Sequence, residues 1–312
     1  MIELKAVRKT FGSLVAVDDL TLELDAGQIF GFIGPNGAGK STTMKILACL
    51  LKADAGTARV AGMDTRTEGD SIRKIIGYMP DFLGVYHDLT VDEYLHFFAA
   101  AYGLARKQRR ATIDGVLELT DLTSKRTAMV DSLSRGMQQR LGVARVLVHD
   151  PKVLLLDEPA SGLDPRARIE MRELLTELGR MGKTLIVSSH ILSELAEMST
   201  SIGIIEKGRL LFSGSIDDAY ARIGRGHRIL VTTEGASPAQ LAAAAEAIAR
   251  DERIALAKPT DTGLDISLEP THTSHHAVVE LVLAQNLRIG AFSPQAPRLE
   301  DAFITLTKGE LQ

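Results

Sequence analysis

The run Gly34-Pro35-Asn36-Gly37-Ala38-Gly39-Lys40-Ser41-Thr42 restricts the fold of this chain more than any other stretch. It fits the pattern G-x-x-x-x-G-K-[ST], and its neighbours supply the setting that pattern requires. Ile29-Phe30-Gly31-Phe32-Ile33 reads as a short buried strand, and Thr42-Thr43-Met44-Lys45-Ile46-Leu47 as the first turns of a helix. Glycines at 34, 37 and 39 let the backbone bend so that successive N–H groups converge on phosphate oxygens, and the helix turns its positive end to the same oxygens. Lys40 is expected to reach the β and γ phosphates as a point charge, and the Ser41 hydroxyl to ligate Mg²⁺. A glycine-rich turn without a ligand is the bland alternative, and the strand-loop-helix setting argues against it. The chain is therefore expected to bind a nucleoside triphosphate.

Composition narrows what it does with that nucleotide. At 312 residues, with 45% hydrophobic and 24% charged residues, the chain reads as an ordinary globular protein with room for two domains. A formal net charge of −4 argues against nucleic acid as a partner, since phosphate-backbone binders carry a basic excess. The cluster Arg106-Lys107-Gln108-Arg109-Arg110 is short, lacks interleaved aromatics and reads as the solvated start of a helix. The single cysteine, Cys49, lies in an apolar run and is expected to be a small core residue in a reducing cytoplasm. The N-terminus lacks a signal-peptide pattern, and no apolar run approaches the roughly 18 residues of a membrane span, so any spans are expected from another chain.

Taken in order, residues 2–33 alternate as strands and suggest a small antiparallel sheet flanking the nucleotide. Phe11 is expected in a loop between two of them, where it either stacks on adenine or plugs a hydrophobic gap. Ile75-Ile76-Gly77-Tyr78-Met79 is a short strand closed by Pro80 and followed by Asp81, and residues 90–132 read as helical. In Leu133-Ser134-Arg135-Gly136-Met137-Gln138, Ser134 is placed as the N-cap of another helix. Val153-Leu154-Leu155-Leu156 has the continuous apolar character of a central parallel strand and ends in Asp157-Glu158. Adjacent carboxylates leaving a buried strand are costly without a function. Asp157 is expected in the Mg²⁺ shell and Glu158 to polarise an attacking water, with a strand-end cap as the structural alternative. A helix follows from about residue 166 to 180. The strand at 183–188 leads to His190, at the carboxyl end where ligands of open α/β sheets collect, so a γ-phosphate contact is expected. A hairpin around Lys207-Gly208 closes a domain of residues 1–222.

Residues 223–312 change character. Their expected order β-α-β-β-α-β suggests a small α+β, ferredoxin-like accessory domain, followed by a helix carrying Leu299-Glu300-Asp301-Ala302-Phe303. His272, His275 and His276 are read as a solvated helix start in preference to a metal site.

Together these stretches resemble the ATP-binding subunit of ABC transporters over residues 2–222. Leu133-Ser134-Arg135-Gly136-Met137-Gln138 is similar to that family's signature, Leu154-Leu155-Leu156-Asp157-Glu158 to its second nucleotide motif, Ser161-Gly162-Leu163-Asp164 to its dimer-interface loop, and His190 to its switch histidine. The resemblance implies an α/β P-loop NTPase domain with antiparallel β and helical subdomains, and a homodimer or heterodimer of ATPase subunits enclosing two ATP molecules. Each ATP with its Mg²⁺ would be held by one phosphate loop and by the partner's Ser134–Gln138 segment. It also implies an integral membrane permease, peripheral attachment at the cytoplasmic face, and adenine stacking by Phe11. Two departures stand out. Asp81 occupies a position where the family usually has a Mg²⁺-reaching glutamine, which is expected to add negative charge near the γ-phosphate and slow turnover. Arg135 and Met137 stand where glycine and glutamine are common, and Arg135 either adds a cation or faces solvent. Phe82, Leu83, Val85 and Tyr86 are expected to meet the permease. The tail around 299–303 resembles drug- and antibiotic-exporter ATPases, which favours export. The alternative function is a soluble ABC-type ATPase acting on ribosomes or DNA. The resemblance also implies that the transported substrate is read by the membrane chain and leaves no mark here.

Overall fold

In the computed structural model, the described residues are 1–82, 84, 88–222, 228–269, 271–272 and 274–295. The chain divides into two compact units, Met1–Ile216 and Asp217–Gln312.

In the first unit β1 (Ile2–Phe11) and β2 (Leu14–Leu24) form an antiparallel hairpin, in which buried Leu20, Leu22 and Leu24 alternate with exposed residues. Phe11 is the last residue of β1, paired with Leu14 across the turn, and not a loop residue as its position before Gly12 suggested. β3 (Ile29–Ile33) is buried at every position and leads into α1 (Lys40–Leu47), which starts at Lys40, ahead of the expected Thr42. β4 (Ala55–Val60) and β5 (Met63–Asp64) then complete a sheet of order β2-β1-β4-β5. β3 does not join that sheet. α2 (Gly69–Arg73) precedes β6 (Ile76–Met79).

The region expected to be helical contains α3 (Val91–Ala101), capped by a reciprocal Thr90/Glu93 box, and α4 (Arg106–Leu119). Two single 3-10 turns follow, at Thr123–Lys125 and Val130–Ser132. α5 (Arg135–Leu147), β7 (Val153–Leu156), α6 (Pro165–Arg180), β8 (Thr184–Ser189), α7 (Leu192–Ala196), β9 (Ser201–Glu206), β10 (Arg209–Ser215) and α8 (Ile216–Arg222) come next. The second sheet runs β10-β9-β3-β8-β7-β6, parallel except for the β10/β9 hairpin. Its central strands β3, β7 and β8 are buried throughout, which is why they read as unbroken apolar runs without alternation.

The second unit begins within α8 and contains β11 (Arg228–Thr233), α9 (Pro238–Ile248), β12 (Ile254–Pro259), β13 (Gly263–Leu268), α10 (His275–Ala284) and β14 (Ile289–Gln295). The four strands pair antiparallel in the order β12-β13-β11-β14. Ile229, Val231, Leu264, Ile266 and Leu268 project from one face at a period of two and pack with Leu241, Ile248, Val278 and Val282 of the two helices. Residues 299–303 lie outside the described residues, as do Leu83, Val85 and Tyr86.

Candidate functional site

The carboxyl end of β3 passes so close to β9 that a Cβ on Gly34 would lie 2.3 Å from the Ile205 carbonyl oxygen. Only glycine fits there. Beyond it the chain turns through Gly37 (φ 82°) and Gly39 (φ 108°), conformations that favour glycine, and wraps around a buried lysine. Lys40 Nζ donates to the Gly34 carbonyl at 2.5 Å and to the Pro35 carbonyl at 3.3 Å. The first turn of α1 carries no acidic residue and no side-chain cap, so its N–H groups and positive end are available to an anion.

Opposite this loop stands the end of β7. Asp157 is 2% exposed, and its N–H donates to the Met79 carbonyl at 2.9 Å. Ser188, at the end of β8, donates its hydroxyl to Asp157 Oδ1 at 2.6 Å and accepts the Glu158 N–H at 2.9 Å. Glu158 has a left-handed backbone, φ 51°. One carboxylate oxygen, Oε2, lies 2.8 Å from His190 Nδ1, and the other, Oε1, lies 3.6 Å from Lys40 Nζ. Oε1 is buried and has no hydrogen-bond partner among the described residues. A carboxylate gathered between a lysine and a histidine in this way can accept a proton from a water held beside it.

Asp81 stands at the rim. Crowding by the surrounding protein, then the negative charges of Asp157 and Glu158, raise its carboxyl above the usual aspartate range, while Arg135 and His190 pull it down. Burial, Asp157 and Asp81 push the Tyr78 phenol up to about 12.

Phe11, Pro35, Asn36, Gly37, Ala38, Gly39, Lys40, Ser41, Thr42, Asp81, Asp157 and Glu158 line one cleft, together with Leu14 and Ala16. Gly34 does not line the cleft and is tied to it through the Lys40 ammonium, and His190 joins through Glu158. The segment Ser134–Gln138 and Asp164 do not line it. The Ser134 hydroxyl caps α5 by accepting the Met137 N–H at 3.3 Å, Gln138 donates to the Val130 carbonyl at 3.4 Å, and Asp164 caps α6 through the Ala167 N–H at 2.9 Å. Arg135 is exposed and lies over Gly162, where a Cβ would come within 2.5 Å of its guanidinium carbon. Sequence reasoning passed over Ser188. Its signal was a polar residue closing the apolar run Leu185-Ile186-Val187 at the level of the two carboxylates.

The donor set is compatible with Mg²⁺, which keeps several waters and takes one or two carboxylates alongside substrate phosphates. Asp157 and the half-buried Ser41 border the same cleft, and the orphaned Glu158 Oε1 is a buried acceptor suited to an ordered water. No cluster of three or more His, Cys, Asp or Glu residues able to hold a metal by itself occurs among the described residues. No helix among them is long and apolar enough to cross a membrane.

Residues 17–161 match the family described as ABC transporter. Nod factor export ATP-binding protein I of Burkholderia lata is 33% identical over 311 residues, which cover 100% of this chain and 98% of that protein. Linearmycin resistance ATP-binding protein LnrL of Bacillus subtilis is 30% identical over 98% of each chain. Among solved structures, the dimeric ATP-binding cassette MJ0796 bound to ADP and Pi in a post-hydrolysis state aligns with a TM-score of 0.63 and 26% identity over 69% of this chain and 99% of its own.

Proposed function

The chain belongs to the ABC transporter ATP-binding proteins, ATPases that hydrolyse ATP to power transport, and from that premise we propose that it is the ATPase subunit of an exporter whose membrane permease is a separate chain. The observation that carries the reading is Glu158, held 2.8 Å from His190 and 3.6 Å from the phosphate-loop lysine. In it, Glu158 takes the proton of the attacking water and His190 orients Glu158 and meets the γ-phosphate. The loop 34–42 cradles the triphosphate and Phe11 stacks on adenine. Ser41, Asp157 and Asp81 would hold Mg²⁺, which would neutralise the charge that develops on the phosphate oxygens. Two subunits close on two ATP molecules, with Ser134, Arg135, Gly136, Met137 and Gln138 of one facing the nucleotide of the other and the Asp164 loops meeting between them. The protein sits at the cytoplasmic face of the membrane through its permease, with Phe82, 85% exposed, on the contact surface.

Export is supported by the relatives, whose names are those of Nod factor export and linearmycin resistance proteins. In residues 223–312, the strand order β12-β13-β11-β14 supports a ferredoxin-like accessory domain.

The test is affinity purification of tagged Glu158→Gln with ATP and Mg²⁺ from detergent-solubilised membranes and from cytosol. Stoichiometric recovery of a polytopic membrane chain is the expected result. Recovery from cytosol alone, with ribosomes or DNA-associated proteins, overturns the transport reading and leaves the ATP site standing.

A further inference from the structure

Phe11 sits at an awkward point in the chain. The ladder between β1 and β2 shifts register at Val7/Lys9 and again at Lys9/Thr10, and Gly12 turns the chain immediately afterwards with φ 58°. Regular pairing resumes only at Thr10 and Phe11, the two residues beside the turn, so the ladder leading up to this ring is irregular. The ring is nonetheless 47% exposed and faces the cleft beside Leu14 and Ala16.

What fixes this stretch comes from the loop between α1 and β4. Asp54 Oδ1 accepts from Lys9 Nζ at 2.8 Å, and Oδ2 accepts both the Thr10 N–H and the Thr10 hydroxyl at 2.7 Å. The Asp54 N–H in turn donates to the Arg8 carbonyl at 2.8 Å. Both carboxylate oxygens are thus fastened to the two residues that precede Phe11. The clamped Lys9 ammonium stands 5.5 Å from the centroid of the Phe11 ring, within cation–π range. The contact with Asp54 favours that position of the ammonium over the ring, which limits the freedom of a half-exposed phenylalanine. The Lys9 and Thr10 hydrogen bonds hold the Asp54 carboxyl well below the usual aspartate range, so it is ionised at every physiological pH.

We propose that Asp54 is a positioning residue for nucleotide binding: by clamping Lys9 and Thr10 it presents the Phe11 ring as a preformed platform for the adenine base. This rests on the stacking reading of Phe11. It assigns a function to a loop residue that lies outside every nucleotide motif, and it separates two parts of ATP affinity. The phosphate loop holds the triphosphate without help from Asp54, and the base depends on it.

The experiment compares two probes, ATP and inorganic tripolyphosphate, each with Mg²⁺, titrated calorimetrically into the full chain. Asp54→Ala and Lys9→Met are each expected to raise the ATP Kd about threefold to tenfold, the equivalent of one hydrogen-bonded contact, and to leave the tripolyphosphate Kd unchanged. In a Phe11→Ala background, Asp54→Ala is expected to add nothing further. Equal weakening of both probes by Asp54→Ala, or undiminished weakening in the Phe11→Ala background, reduces Asp54 to a structural staple and overturns the proposal. If Phe11→Ala weakens ATP while Asp54→Ala and Lys9→Met do not, the stacking reading survives and this proposal falls. If Phe11→Ala itself leaves the ATP Kd unchanged, both fall together.

Discussion

Glu158 is a bulky residue held at φ 51°, a backbone conformation that costs on the order of 1–3 kcal/mol outside glycine. In this conformation the side chain lies between Lys40 and His190. Comparing Glu158→Gly with Glu158→Ala isolates the backbone cost, because both lose the carboxylate and only alanine keeps the strained Cβ. We expect the glycine variant to be more stable by about 1 kcal/mol in chemical denaturation, with both inactive. Equal midpoints would mean the backbone is relaxed. Ser188 supports the same pair of carboxylates. Ser188→Ala leaves Asp157 Oδ1 and the Glu158 N–H without their partner, which should destabilise by about 1–3 kcal/mol and lower kcat more than it raises KM. A normal kcat in that variant would remove Ser188 from the site. Tyr78 responds to alkali. Its phenol ionises at about 12 in the folded protein against about 10 unfolded, so the stability linked to the neutral phenol is fully present below about 10 and is lost as pH rises towards about 12. Its hydroxyl has no hydrogen-bond partner among the described residues, so Tyr78→Phe should cost little at neutral pH and flatten this alkaline loss. Denaturation midpoints across that range for both proteins give the comparison. The spacing of Gly34, Lys40 and Ser41, and the Asp157-Glu158 pair, were readable because each is local in sequence. Ser188 and Asp54 were not, since each acts on residues brought near it only by sheet pairing or by a loop.

At the scale of elements, α5 and α6 are fastened to one another at their amino ends. A Cβ on Gly136 would lie 2.8 Å from the Ala167 Cβ, Arg135 covers Gly162, and Arg140 reaches Glu170 at 3.5 Å and Asp121 at 2.9 Å. The segment Ser134–Gln138 and the Asp164 loop therefore form one piece, so displacement of either carries the other. Gly136→Ala must push the two helices apart, at an overpacking cost of typically about 1–3 kcal/mol. We expect it to leave the Kd for ATP measured on single subunits unchanged and to reduce steady-state ATPase activity, since the displaced residues lie outside the cleft proposed to hold the triphosphate. A loss of ATP affinity of the same size as the loss of activity would contradict this. Elements whose periodicity is intrinsic were legible: the apolar run of β7, the Ser134 cap of α5 and the Pro238 start of α9. Sheet membership was not. Ile29–Ile33 follows two antiparallel strands closely in sequence yet pairs with β8 and β9, and Ala55–Val60 alternates weakly yet completes the first sheet. Alternation identifies a strand and says nothing about its partner, because that choice is made by burial of the other face.

For the whole molecule, the two units carry separate cores and separate sheets. The apolar cluster around Ile2, Phe30, Met44 and Leu155 belongs to the first, and that around Ile229, Leu241, Leu264 and Val278 to the second. All residues lining the cleft around loop 34–42, the proposed nucleotide site, fall within Met1–Ile216. A chain built this way should not melt as one two-state body. Calorimetry of the full protein is expected to resolve two transitions, and ligand linkage identifies which is which. Nucleotide that binds the folded first unit and not its unfolded form adds about 2.7 kcal/mol at a concentration of 100 Kd. In a unit of this size each kcal/mol moves the midpoint by about 2–4 °C, so saturating Mg²⁺-ATP on Glu158→Gln, which is expected not to hydrolyse it, should raise one transition by about 5–10 °C. The other transition has no nucleotide-lining residue to stabilise and should stay where it is. A single transition that shifts as a whole would show that residues 217–312 fold only as part of the ATPase core, and the accessory region would then have to be read as an extension of that core.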